Sequence, residues 1–289
     1  MKTTFINWLL FIILSLIWGS SFMLMKEGMN VLLPYHVASI RILSAGIVLL
    51  PFAWKSYKKI PHNQLGTVIL SGFLGSFLPA FLFCIAETKV DSSFAGILNA
   101  LTPLCTIITG VIFFGMKTNM QKVTGVLIGF AGLYLLVAPN GHIDFTNYSY
   151  SIFVLIATIF YGINVNMVGR YLHNINSLSI ATVSFVFLII PCLLILSFTG
   201  YFALPFDNKE VWISTAAGSV LGIFGTAIAS VLYYRLIKNA GVLFASMISY
   251  GVPFIALLFG VLLREKILPI QLVSLAFILA GVYIVNRKR

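Results

Sequence analysis

Apolar residues fall in ten solid blocks, at roughly 5–25, 34–54, 64–85, 92–115, 120–138, 150–169, 178–199, 211–234, 240–262 and 268–286, with short polar joints between them. At 1.5 Å of rise per residue, a helix needs about 20 apolar residues to cross the hydrocarbon of a bilayer. Barrel strands instead alternate apolar and polar positions over runs of about ten residues, and these blocks do not alternate. The pattern predicts an all-α membrane protein with ten transmembrane helices. The joints and tails are too short to hold a soluble catalytic domain. The first block is too long for the apolar core of a cleavable signal and lacks a small-residue cleavage site, so it reads as a retained first helix.

Composition agrees with this. Of 289 residues, 60% are hydrophobic and 9% charged, where soluble domains run about half apolar and about a quarter charged. Cys84, Cys105 and Cys192 all lie inside apolar blocks and read as small core hydrophobes rather than a disulfide or metal set. The net charge of +11 raises the question of nucleic acid, but its placement answers differently. With the N-terminus in the cytoplasm, the inner joints and tails hold twelve Lys and Arg and no acid, among them Lys55, Lys58, Lys59, Lys117, Lys122, Arg170, Arg235 and Lys238. The outer side holds six bases, counting Arg41 in the outer half of the second span, and all seven acids: Glu27, Glu87, Asp91, Asp144, Asp207, Glu210 and Glu265. A Lys/Arg bias of this kind sets membrane orientation. It predicts a multi-pass protein of the cytoplasmic membrane with both termini cytoplasmic. The expected partners are the lipid bilayer and a small-molecule substrate, not nucleic acid, and the chain is expected to act as a monomer or weak homodimer.

The blocks also repeat. Residues 94–115 lie over 244–265 at an offset of 150, with Phe94 on Phe244, Ala95 on Ala245, Pro103 on Pro253, Gly110 on Gly260 and Val111 on Val261. GFAGLYLLV at 129–137 matches ILAGVYIVN at 278–286, and IWGSSF at 17–22 echoes FYGINV at 160–165. The chain thus divides into 1–142 and 143–289, each with five spans. An odd number of spans per copy turns the second copy over in the membrane, the inverted-topology repeat of many secondary transporters.

These features carry a resemblance. WGSSF at 18–22, Arg41 within SIRILSAG, AGILNALTPL at 95–104 with its second copy ASMISYGVPF at 245–254, and LLREKILPIQLVSLAFILAGVYIV at 262–285 together resemble the EamA-type members of the drug/metabolite transporter superfamily. The resemblance implies ten helices around a central cavity lined by spans 1, 3, 4, 6, 8 and 9, working by alternating access. Members commonly export amino acids or other small metabolites. One departure is Gly115-Met116-Lys117, where members often carry Gly-Glu; here the Glu survives only in the second copy, as Glu265.

The residues give their own reading. Polar groups inside a span are costly and usually face the bundle interior or a wet cavity. Helical spacing puts Asn99, Thr102 and Pro103 on one face of span 4, and Ser246, Ser249, Tyr250 and Pro253 on one face of span 9. Tyr161 and Asn164 share a face of span 6, with Asn166 to one side, and Trp18, Ser21 and Met25 form a stripe on span 1. Gly72, Gly75, Ser76 and Pro79 line span 3 as Gly218, Gly222, Gly225 and Thr226 line span 8, seams or hinges that also give access to a cavity. Gly125, Gly129 and Gly132 on span 5 read as packing. The substrate-binding candidates are Trp18, Ser21, Pro79, Asn99, Thr102, Tyr161, Asn164, Ser246, Ser249 and Tyr250, mostly neutral or aromatic. For each Ser and Thr the competing role is a bond to its own helix. Arg41, about two turns into span 2, needs compensation, since a charge at the bilayer centre costs about 2.5–3.5 kcal/mol. Glu27, as ion pair or outer gate, is one answer, and a substrate carboxylate is another.

The expected activity is secondary transport of small metabolites, amino acids or related polar or aromatic solutes, outward by alternating access. Proton-coupled efflux of drugs or toxic compounds is the alternative, with Glu87 and Asp91 as its titrating candidates. An intramembrane enzyme would need a metal set, a nucleophile with its base, or paired acids at depth. No such catalytic set, metal site, cofactor site or nucleotide motif is legible. A channel would ordinarily be built of symmetric subunits around a pore ring.

Overall fold

The structure, a computed structural model, describes residues 2–90, 92–137, 149–252 and 269–286. Local chemistry sets where the helices begin and end. The first helix, α1, runs Lys2–Gly28. Pro34 opens α2 (Pro34–Tyr57) at its first position, after an extended Leu33, where proline's missing N–H costs nothing. α3 is His62–Ala86. α4 is broken into Ser92–Asn99 and Thr102–Phe114. Gly115, left-handed at φ 59°, ends it. α5 is Met120–Val137 and α6 Ser151–Tyr171. Asn176 caps α7 (Ser177–Phe198) by accepting from Leu178 N, and Asn208 does the same for α8 (Lys209–Ala240) through Glu210 N. Gly241, at φ 91°, separates α8 from α9, which is described over Val242–Val252. α10 is Pro269–Asn286.

The described residues are helical throughout, with no strand. Six of the helices (α1, α2, α3, α6, α7 and α8) are each long and apolar enough to span a membrane. Their outer faces are apolar in the middle as well as at the ends. Ile190, halfway along α7, is 67% exposed, and Ile108, Ile112 and Phe113 are exposed along α4. Water would not tolerate so continuous an apolar surface, whereas lipid requires it. The chain is an all-α membrane protein.

Two differences from the sequence pattern have physical causes. α8 is 32 residues long rather than the 24 or so of its apolar block, because Arg235 and Lys238 continue the helix past the hydrocarbon. α4 is two helices rather than one. The break at Ala100–Leu101 stands just ahead of Pro103, which supplies no N–H to an unbroken ladder and opens the second piece instead. Pro253, the second half of the ninth block, Arg264, Glu265, Lys266, Asp91, Asp144 and the division at 142/143 lie outside the described residues.

The two sets of five helices interleave. α2 packs along α7 and α5 along α10, while α1 lies on α8 and α6 on α3. The α5–α10 seam brings backbones together: a methyl group on Gly281 would lie 2.5 Å from the Gly125 carbonyl oxygen. α3 and α8 each contain a π-helical stretch, Phe73–Phe77 and Ile223–Ile228, at the same offset of 150 that relates the two sequence copies. Contacts at the helix ends group as the charges do. The start of α2 meets the end of α7 through His36 Nε2 and Thr199 O at 3.2 Å. The end of α1 meets the start of α8 through Ser214 Oγ, which donates to Glu27 O at 3.1 Å. At the opposite, base-rich end, Lys238 Nζ donates to Ile175 O.

Candidate functional site

A cavity, part of it open to the exterior, lies where the two sets meet. α1, α3, α4, α6, α8 and α9 all contribute to its wall, and α2 adds Arg41. The wall is built twice. Trp18 on α1 stacks edge-on against Tyr233 on α8, with centroids 5.0 Å apart, and Tyr161 on α6 stacks against Phe83 on α3 at 6.1 Å. These pairs correspond under the two sequence offsets. Beside each, a small polar side chain fits against a glycine of a π stretch. A methyl group on Gly225 would lie 2.9 Å from Ser21 Oγ, and one on Gly75 would lie 2.7 Å from Asn164 Cγ. A π turn replaces the usual bonds with i→i+5 bonds and widens the helix by one residue. Trp18 bonds to this stretch: its Nε1–H donates to Gly225 O at 3.0 Å.

The broken α4 supplies the next part of the wall. Thr102 Oγ1 donates across the break to Asn99 O at 2.5 Å, which takes up an orphaned carbonyl. Ser246 and Ser249 on α9 bond back to Leu243 O and Ser246 O in the same way. Asn164 Oδ1 accepts from Ser71 Oγ at 2.6 Å.

Eight of the ten residues singled out as substrate-binding candidates thus stand on the cavity wall: Trp18, Ser21, Asn99, Thr102, Tyr161, Asn164, Ser246 and Ser249. Two do not. Tyr250 is fully buried and donates its hydroxyl to Val126 O on α5 at 2.8 Å; the turn at Met247 rotates it off the face it would share with Ser246 on a straight helix. Pro79 is buried in α3 and stays behind the wall. The Glu27–Arg41 pair is also absent. Glu27 accepts from Asn30 Nδ2 at 2.9 Å, while Arg41 turns inward and donates from Nε to Thr226 Oγ1 at 2.7 Å. Glu27 ends its helix at the surface, so the polar group within reach of Arg41 is on α8. The wall also includes Phe83, Ser230, Tyr233 and Tyr234, which sequence reasoning passed over, and Ser76, which it read as part of the span 3 seam. Thr226, Ser230 and Tyr233 share a helical face, a signal as plain as the one on α4.

Known proteins resemble this chain along nearly all of its length. An uncharacterized transporter of Archaeoglobus fulgidus is 25% identical over 98% of this chain and 99% of its own length. The uncharacterized inner membrane transporter YedA of Escherichia coli K12 is 28% identical over 94% and 88%. An S-adenosylmethionine/S-adenosylhomocysteine transporter of Chlamydia muridarum is 23% identical over 92% and 86%. A protein of known crystal structure shares the fold, with a TM-score of 0.71 and 17% identity over 99% of this chain and 96% of that one. The EamA-like transporter family matches twice, at residues 6–138 and 149–287. With both five-helix sets matched by the same family and meeting at one cavity, the chain belongs to the EamA-like transporter family.

Proposed function

We propose that the chain is a secondary transporter that exports amino acids or related polar and aromatic metabolites by alternating access. The observation that carries this is the doubled wall: Trp18, Tyr233, Ser21 and Gly225 on one side answer Tyr161, Phe83, Asn164 and Gly75 on the other. A site at the interface of two inverted copies can open to either side as one copy rocks against the other. The S-adenosylmethionine/S-adenosylhomocysteine transporter of Chlamydia muridarum supports a metabolite rather than an inorganic ion as cargo. Export follows the habit of the family. The cytoplasmic membrane, with both termini on the cytoplasmic side, is the location that fits the charge split.

The test is counterflow in proteoliposomes loaded with the twenty amino acids and with aromatic acids and amines. Wild-type protein exchanges at least one labelled solute of this set. The Asn99→Ala/Asn164→Ala variant loses about tenfold or more of that rate, the worth of one or two hydrogen bonds to a bound solute. Exchange of none of these solutes by the wild type, or an unchanged rate in the double variant, would overturn the reading.

A further inference from the structure

Among the described residues, the cavity wall carries one cationic side chain, Arg41, and no acid. Arg41 and Ser184 hold matching places in the two sets, since a methyl group on Gly72 would strike Ser184 and one on Gly222 would strike the Arg41 backbone. The repeat therefore accounts for a helix passing there but not for a guanidinium. Ser184 spends its hydroxyl on α3, donating to Val68 O at 2.7 Å. Arg41 instead uses one of its five N–H donors, Nε, on Thr226 Oγ1 at 2.7 Å. Thr226 lies in the π stretch of α8 and so holds the guanidinium plane at the wall. Glu27 does not compensate Arg41, since its carboxylate bonds Asn30. An ionised group at membrane depth with a free face toward a cavity marks a place for an opposite charge.

We propose that Arg41 anchors the carboxylate of the transported solute, while the solute's apolar or aromatic body lies between Trp18, Tyr161 and Tyr233. This rests on the transporter reading above and narrows it to amphiphilic monocarboxylates, amino acids included. A guanidinium fork matches a carboxylate in shape. One fixed cation balances one anionic charge. A phosphate monoester, with about two charges near neutral pH, would leave one unbalanced, since the described residues of the wall include no second Arg or Lys. Among the described residues no wall carboxylate waits for an ammonium group either, so an α-amino group is tolerated on the aromatic faces rather than required.

Four probes of one size separate these possibilities when titrated into the detergent-purified full chain, with tryptophan fluorescence as readout: L-phenylalanine, 3-phenylpropionate, phenethylamine and phenyl phosphate. The two carboxylates bind, and phenethylamine and phenyl phosphate bind at least about tenfold more weakly, as expected for loss of a charge-assisted bond. Arg41→Gln erases that preference and Arg41→Lys, a point charge without the fork, keeps part of it. Failure of either carboxylate probe to bind the wild type, equal binding of phenethylamine and 3-phenylpropionate, or an unchanged preference in Arg41→Gln overturns the anchor. The wild-type series needs no variant, so it decides the matter even where a substitution impairs folding. Liposomes of Arg41→Gln that still exchange carboxylates at the wild-type rate sink the anchor and leave transport standing. Wild-type liposomes that exchange nothing sink the transport reading itself.

Discussion

Asn164 and Asn166 stand two positions apart on α6 and serve different ends. Asn166 spends its amide on α4 and its own helix, donating to Thr106 O at 2.8 Å, Gly162 O at 2.9 Å and Thr109 Oγ1 at 3.2 Å. Asn164 stands on the cavity wall, with Ser71 and the Tyr234 hydroxyl as its partners. The same split separates Tyr250, whose hydroxyl is engaged with α5, from Tyr161 on the wall. Asn166→Ala should therefore lower the thermal-unfolding midpoint of the purified protein by about 2–4 °C, the effect of about 1 kcal/mol in a chain of this size, and leave solute affinity within about twofold, a shift of under 0.5 kcal/mol. Asn164→Ala should lower solute affinity by well over twofold. Scanning fluorimetry with and without solute checks both, and a large affinity change in Asn166→Ala would remove it from the structural role. Single polar residues at depth were visible in the sequence. Which partner each one chose was not, because that depends on a neighbouring helix some 60 to 90 residues away.

At the scale of elements, the π stretches of α3 and α8 are where helix geometry and site geometry meet. Each widens its helix beside a glycine, and each glycine is touched by a polar residue of the opposite set: Gly225 by Ser21 and Gly75 by Asn164. A methyl group there has no room until that neighbour shrinks. Gly225→Ala should slow exchange, and Ser21→Ala added to it should restore part of the rate. The coupling between the two changes should fall in the range of about 0.5–3 kcal/mol typical of residues in contact. Strictly additive effects in a double-mutant cycle would dissolve the contact. The glycine stripes of α3 and α8 were legible as seams. The π turns were not, because an extra residue in a helical turn leaves the apolar pattern of a block unchanged. The α4 break is intermediate: Pro103 is a residue that breaks helices, yet the position at Ala100–Leu101, with Asn99 O freed to meet Thr102, came from the fold.

At the scale of the whole molecule, the base-rich helix ends gather on one side and the ends holding Glu27, His36 and Thr199 on the other. We expect the base-rich side to be cytoplasmic. A fluorescent-protein fusion at the C-terminus should fluoresce, and alkaline phosphatase fused within the joint after α7, near Asp207, should be active while a fusion near Lys58 should not. The reverse pattern would turn the molecule over and with it the direction of transport proposed above.

The sequence by itself determined the solvent, the order of the apolar blocks, the doubling of the chain and most of the polar residues that meet in the cavity. Each of these follows from local spacing: twenty apolar residues make a span, and residues three or four apart share a face. Only the tertiary structure decided the partners. It took Arg41 from Glu27 and gave it to Thr226, withdrew Tyr250 to Val126, and set Trp18 on the carbonyl of Gly225. Those choices turn on how two copies interleave, and a one-dimensional pattern carries no information about the distance between helices that are far apart along the chain.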